Sequence, residues 1–466
     1  MKKIILAILA MAGILTARGE TIQITPGGLN AALEGRSDTI ATLVVSGEGD
    51  ARDLAFMAGM PALKSIDMSG LKIVELKSRD AVILNRRHFE ADALPPYVFT
   101  LAKIETVKLP ETLKRIGEGA FASSQLKELT MGTALERIDD WAFYNTRLAT
   151  VKLPSGITLF GEGVFANCAM LDKADLGSAK LATLPAKTFR GCTALHTVTF
   201  PQGTTALGAE SFLGSGMTAF NVPEQVNSIG EYALSSMPAL KEYNASGNPQ
   251  LGAGALFCNN ALTKISGQYD FPSLSLAVTP SLAIDSSECI VIRNLGDYAF
   301  AGNGTRNLFF NNNLQKVGTH VLDGMTNLQS VCVFQADGNV PETATGAFDG
   351  VANIDKTKLF VKRGCENAWI NHQEWGRFMV VPQDVDAVAE IENGNGIVCS
   401  LQENTLTVSA DETLASVAVY SANGSLLIAS SPRSESVTLD VSGVENGVII
   451  VRASTTTGTA TFKLRK

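Results

Sequence analysis

A phenylalanine returns to the same slot of a short motif almost every 22 residues, and that recurrence restricts the chain to a repeat architecture. Starting from Phe121 in IGEGAFA, the slot holds Phe99, Phe121, Phe143, Phe165, Phe189, Phe212, Leu234, Leu256, Val278, Phe300, Leu322 and Phe348. The steps are 22 residues, except 24 into Phe189, 23 into Phe212 and 26 into Phe348. Eight of the twelve slots are Phe, whereas 21 Phe among 466 residues would place about half of one there by chance. A second apolar column stands five residues earlier: Ile116, Ile138, Phe160, Leu184, Leu207, Ile229, Leu251, Leu295 and Val317. A chain of 466 residues is too long for one ordinary core. A periodic array removes the difficulty, because each unit buries its apolar face on the next.

Within one period, residues 104–110 (IETVKLP) alternate apolar and polar, as a short half-buried strand does. Residues 148–154, 195–201 and 217–223 repeat the pattern, each closed by a proline that cannot donate to a ladder. The following half spaces Ile116, Ala120 and Phe121 at i, i+4 and i+5, which suits a short helical or an irregular return. A period near 22 falls in the range of leucine-rich repeats. The expected fold is an α/β repeat solenoid followed by a small all-β sandwich.

On such strands, the residues between the two inward apolar positions must point outward, because successive side chains alternate faces. Those positions are Lys108, Thr130, Lys152, Asp175, Thr199, Asn221 and Asn244, one per coil. A parallel outward row holds Thr106, Glu128, Thr150, Lys173 and Thr197. We expect ligand to bind on this face, with Lys108 and Lys152 as charged anchors; a merely solvated sheet face would carry the same pattern.

The pattern LxxVxLPxxLxxIGxxAFxxC over residues 94–351 resembles the BspA-type leucine-rich repeats of bacterial surface proteins. Residues 24–33 (ITPGGLNAAL) and 53–70 are similar to the N-terminal unit such proteins carry, which implies a capping and degenerate repeat region over 20–93. Residues 359–375 (LFVKRGCENAWINHQEW) resemble the strand and helix that close such arrays, which implies a C-terminal cap over 352–386, sealed by Trp369 and Trp375. The pattern weakens at 266–290, around Val278. From about residue 387 the composition turns to Val, Ser, Thr and Gly. Strand-like runs then fall at 405–409, 416–420, 426–429, 436–441, 447–452 and 460–464. Asn423-Gly424 marks a hairpin turn, since both central residues of a type I′ turn need positive φ. Residues 417–427, 444–453 and 461–466 resemble the C-terminal sorting domain of type IX secretion substrates. That resemblance implies an exporting role for 387–466; a plain Ig-like sandwich is the alternative.

The first 20 residues, MKKIILAILAMAGILTARGE, join Lys2 and Lys3 to an apolar run and then to Ala17-Arg18-Gly19. This is the layout of a signal peptide over 1–19, with the mature chain beginning near Arg18 or Glu20. Export to the surface or exterior of a Gram-negative bacterium follows, or to the periplasm if residues 387–466 do not sort. No later stretch is apolar enough to suggest a membrane helix. Net charge is −8, so neither nucleic acid nor anionic lipid is an expected partner. The seven cysteines are dispersed, with no CxxC pair, which argues against a disulfide framework or structural zinc. Cys168 and Cys192 both follow the slot by three residues and are expected as buried free thiols rather than a disulfide.

GEGAFA (117–122) and GEGVFA (161–166) match a nucleotide-binding fingerprint, but they lie two periods apart at the repeat's own turn. His88, His196, His320 and His372 form no metal-ligand spacing, and no GxSxG elbow occurs. We therefore expect no enzyme, no cofactor and no metal. Trp141, Tyr232 and Tyr298, two positions before the slot, suit either packing on the next coil or a carbohydrate-stacking stripe. The expected function is adhesion to a host protein or matrix component. A glycan-capturing accessory and a structural surface component are the alternatives.

Overall fold

The computed structural model describes residues 18–77, 88–245, 247–266, 270–282, 292–310, 314–333, 335, 339–383, 397–402, 404–421, 426–444, 448–456 and 458–465. The expected signal peptide up to residue 17, Cys289 and the Asn423-Gly424 turn lie outside the described residues. The chain divides into two compact units, Met1–Met217 and Thr218–Lys466.

The first unit opens with the parallel strands Arg18–Ile24, Ile40–Gly49 and Ser65–Ile73, which continue into the repeat strands Thr106–Lys108 and Glu128–Thr130. The strands Thr150–Lys152, Lys173–Asp175 and Thr197–Thr199 form the next sheet, in register and also parallel. The helix Ala51–Gly59 in the opening segment is started by Asp50, whose side chain accepts the Arg52 N–H in a capping box completed by Asp53.

Each coil makes a second, two-residue strand at the apolar column before the slot. Ala93–Leu94, Arg115–Ile116, Arg137–Ile138 and Leu159–Phe160 pair in order, as do Thr183–Leu184 and Ala206–Leu207. The N–H one residue after this strand donates back to the preceding coil, as Gly117 does to the Leu94 carbonyl and Gly161 to that of Ile138. Pro185 occupies the donor's position opposite Phe160 and has no N–H. The ladder is interrupted there.

Of the two returns that the spacing allowed, the irregular one forms. The slot segment sends its N–H groups to the next coil instead of along itself: Tyr97 to Glu118, Phe99 to Ala120 and Leu101 to Ala122, at 2.7–3.0 Å. Two left-handed residues per coil hold this shape, one two positions before the slot and one two after. In successive coils they are Tyr97 and Leu101, Gly119 and Ser123, Trp141 and Asn145, with φ between 53° and 61°. A left-handed residue ends a helix, so Ile116, Ala120 and Phe121 cannot continue one.

The slot residues form a column of buried rings. Phe99, Phe121, Phe143, Phe165 and Phe189 are 0 % exposed and stack with centroid separations of 5.2–5.9 Å and interplanar angles of 8–15°. Burial of each contributes roughly 1.5–3 kcal/mol.

Three residues after the slot lies a second interior column. Cys168 Sγ donates to the Phe143 carbonyl and Cys192 Sγ to the Phe165 carbonyl, each at 3.1 Å. Both are free thiols, so the motif's cysteine supplies a small apolar group that satisfies the preceding coil's slot carbonyl. Burial pushes Cys168 up to about 11, Cys332 and Cys399 to about 12, and Cys192 well above its ordinary value. Native protein treated with iodoacetamide at about pH 8 is expected to react at the half-exposed Cys258 and Cys365 and to spare these four. Peptide mapping that finds early labelling of Cys168 or Cys192 would refute the buried column.

In the second unit the strands Ala219–Val222, Glu242–Ala245 and Lys264–Ser266 pair in parallel. Asn307–Phe310, Ser330–Val333, Lys358–Lys362 and Met379–Gln383 make a further parallel sheet. The second ladder pairs Ser228–Ile229 with Gln250–Leu251, and then Asn294–Leu295, Lys316–Val317 and Glu342–Thr343 with one another. Between those runs the described part of the weak region, 270–282, is one stacked coil. One assignment changes there. The slot is filled by Leu276, fully buried, not by Val278, which is 41 % exposed with φ 56°. Leu256 N–H donates to Ser275 and Leu276 N–H to Ala299, the pattern of the slots at Leu234 and Phe300, while Val278 takes the left-handed position two residues on. This coil is two residues shorter than a strict count of 22 assumes, and the next is two longer. Phe271 fills its inner apolar position and bridges to Leu295.

The last slot ring, Phe348, meets Trp375 at 4.5 Å and Phe378 at 4.9 Å, with Trp369 packed behind Trp375 at 5.2 Å. Strands 397–465 then form two antiparallel sheets. Ile397–Gln402, Thr405–Leu414 and Ser434–Asp440 make one; Leu426–Ser430, Ser416–Ser421, Val448–Ser454 and Thr459–Arg465 make the other. Side chains from both sheets, among them Leu406, Val408, Val419, Val451 and Phe462, share one buried core. This is the expected sandwich, with Ile397–Gln402 as a strand that the sequence reading had passed over.

Candidate ligand-binding face

The seven outward positions fall in three sheets. Lys108 pairs in register with Thr130, Lys152 with Asp175 and then Thr199, and, in the second unit, Asn221 with Asn244. Their inward neighbours Val107, Val151 and Ala174 are buried, whereas Lys108, Thr130, Lys152, Thr199 and Asn221 are exposed and Asp175 and Asn244 half-exposed. The alternation therefore places all seven on the outward face. It groups them as a pair, a triplet and a pair; no single sheet carries all seven.

The face is less charged than its residues suggest. Lys108 Nζ lies 2.9 Å from Asp67 Oδ2 on the preceding strand, and Lys152 Nζ lies 3.8 Å from Asp175 Oδ2 on the following one. Burial pushes the Asp67 carboxyl up, but the Ser69 hydroxyl and the Lys108 ammonium outweigh it and hold the group below its ordinary value. One residue before the outward rows, Glu105 bridges Lys127 and Lys64, and their hydrogen bonds hold its carboxyl at about 2. Each expected cationic anchor is thus half of an ion pair, and such exposed pairs are worth little to stability. Asp67 belongs to the same row, in register with Lys108. The sequence reading missed it because it lies 41 residues away, across the insertion between two coils.

The aromatics two positions before the slot pack on the next coil. A Cβ on Gly163 would come within 2.3 Å of the Trp141 ring, and one on Gly254 within 2.3 Å of Tyr232, so each ring covers the following coil's glycine. Tyr97 covers Gly119 in the same way, and Tyr298 stacks on His320 at 4.9 Å and 15°. Aromatic and small residue alternate along the stack, a signal readable as Tyr/Gly/Trp/Gly at 97, 119, 141 and 163. Among the described residues, no cluster of three or more His, Cys, Asp or Glu could hold a metal, and no helix is long and apolar enough to cross a membrane.

Two parallel ladders per coil, an interior slot and a polar outward row define leucine-rich-repeat coils in both units. A family model described as the BspA type leucine rich repeat region matches six copies over residues 92–183, 178–277 and 281–367. That is more than half of the chain, and the chain belongs to this family. It is similar to a solved leucine-rich repeat protein of Bacteroides ovatus, with 17 % identity, 66 % of this chain and 91 % of that one covered, and a TM-score of 0.45. It is also similar to the pneumococcal vaccine antigen PcpA, with 17 % identity, 64 % and 84 % covered, and a TM-score of 0.39. A leucine rich cell surface protein of Faecalibacterium prausnitzii shows 15 % identity, 75 % and 81 % covered, and a TM-score of 0.27. No curated protein matches the sequence.

Proposed function

We propose that this chain is an exported surface protein that binds a host protein or matrix component through its outward strand face, with residues 387–466 serving its passage to the surface. The supporting observation is the polar row, aligned in register within each of three sheets. Lys108 beside Thr130, and Lys152 beside Asp175 and Thr199, offer donors and acceptors at strand spacing. Within each sheet parallel strands repeat at about 4.8 Å, so an extended partner meets a polar side chain on each strand it crosses. Because the lysines are internally paired, binding should depend on hydrogen bonding more than on net charge, and salt should weaken it modestly.

The test presents purified protein to immobilised collagen, laminin and fibronectin, then repeats the measurement on Lys108→Gln combined with Lys152→Gln. The expected result is a loss of about tenfold in affinity with a melting temperature nearly unchanged, since both positions are exposed. Unchanged binding to a matrix protein that the native chain captures would show that this face is only solvated.

A further inference from the structure

Among the described residues, the second ladder of the second unit is broken between Gln250–Leu251 and Asn294–Leu295, and a cavity opens there. In neighbouring coils the N–H after the inner strand donates to the preceding coil: Gly252 to Ile229, Gly296 to Phe271 and Gly318 to Leu295. The residue that should serve Leu251 is Pro272, which has no N–H. Among the described residues, a single bridge, Phe271 to Leu295, joins the ladder across this coil. The resulting hollow has a volume of about 710 Å³, within the roughly 300–1,000 Å³ usual for small-ligand sites.

Two carboxylates, Asp270 and Asp297, and two cations, Arg293 and Lys316, line it. The Asp270 carboxylate is committed to the N–H groups of Arg293 and Asn294 and to the Asn294 amide, at 3.2–3.3 Å, and Asp297 accepts the Thr319 N–H at 2.7 Å. Lys316 at the rim is shared with Glu342 at 3.3 Å. Arg293 is exposed, lines the cavity and has no ion-pair partner among the described residues. A guanidinium in this setting suits a carboxylate, which it can hold by two parallel hydrogen bonds. Gln250 and Asn294 bring amide groups to the lining, and Pro272 leaves the Leu251 carbonyl without the back-donated N–H that neighbouring coils supply. Hydroxyl groups, which donate and accept at once, match such a wall. Pro249 and Pro272 add aliphatic surface for the C–H face of a ring.

We propose that this cavity binds an acidic saccharide of the uronate class, with its carboxylate on Arg293 and its hydroxyls on Gln250, Asn294 and the Leu251 carbonyl. The site is separate from the outward strand face and stands or falls independently of it.

Titration calorimetry of the full chain with a short oligogalacturonate, the matching neutral galactose oligomer and acetate tests the proposal. The acidic oligomer should bind, and the neutral one should bind at least about tenfold more weakly, the worth of a charge-assisted hydrogen bond. Arg293→Gln should cost the acidic oligomer a similar factor, whereas Lys108→Gln with Lys152→Gln should leave it unchanged. If Arg293→Gln proves unstable, Arg293→Lys, which keeps the charge but loses the paired hydrogen bonds, and Gln250→Ala carry the same comparison. No binding by the native chain overturns the proposal, as does equal affinity in the cavity variants. Displacement of the oligomer by acetate at equal concentration would show a plain anion site and would overturn the saccharide assignment.

Discussion

Phe143→Ala is expected to lower the unfolding free energy by about 3–5 kcal/mol, the cost of an unfilled aromatic cavity. The ring is 0 % exposed and stacks between Phe121 and Phe165 at 5.5 Å on each side. Its removal therefore strips contacts from two neighbouring coils as well as its own. In a stack whose stability comes from nearest-neighbour interfaces, the loss should spread, and amide exchange should rise in the coils of Phe121 and Phe165 together. Trp141→Ala, two residues away and half-exposed, should cost distinctly less. Equal losses in chemical denaturation would contradict the placement of Phe143 inside and Trp141 at the edge.

The second large effect concerns the glycine beneath that indole. Gly163 has φ +60°, and a Cβ there would come 2.3 Å from Trp141 Cζ3. Gly163→Ala combines a left-handed alanine, about 1–2 kcal/mol, with displacement of a packed ring, about 1–3 kcal/mol more. The two parts are separable by a double-mutant cycle. In a Trp141→Ala background the steric part should vanish and only the backbone part remain, so the alanine should cost about 1–2 kcal/mol there. An identical cost in both backgrounds would mean that the ring does not rest on Gly163.

The apolar skeleton was legible because it is periodic. The slot, the strands that each proline closes and the outward row from Lys108 to Asn244 all follow from counting residues and alternating faces. Counting failed where the period itself changed. Val278 sits 22 residues after Leu256, yet Leu276, after 20, is the side chain that reaches the interior. Spacing also could not decide how the return is made. Ile116, Ala120 and Phe121 are placed as on a helix, but Trp141, Lys187 and Leu274 show that left-handed positions need not be glycine. The candidate face was legible in its direction and illegible in its charge. Asp67 neutralises Lys108 across 41 residues of chain, a pairing that only the stacked coils create. The cavity had a readable marker in Pro272, one position after the inner apolar residue, although its meaning depends on knowing that the neighbouring N–H groups point back along the stack.

The slot segments have an electrical consequence for the end of the array. In the second unit the hydrogen bonds from Leu234 to Ala255, Leu256 to Ser275, Leu276 to Ala299 and Phe300 to Val321 all point toward the C-terminal end. Peptide dipoles aligned in this way add along the stack, as they do along a helix, and leave partial positive charge on the last N–H groups. Gly346, in the final coil, donates its N–H to Glu374 Oε1 at 2.8 Å. That carboxylate is only 4 % exposed and is held from its other side by Arg377 at 3.0 Å. The segment carrying Trp369 and Trp375 thus does more than cover apolar rings: it brings an anion to the positive pole of the column. A terminal segment transplanted to a shortened array would need that carboxylate as well as its indoles to close it.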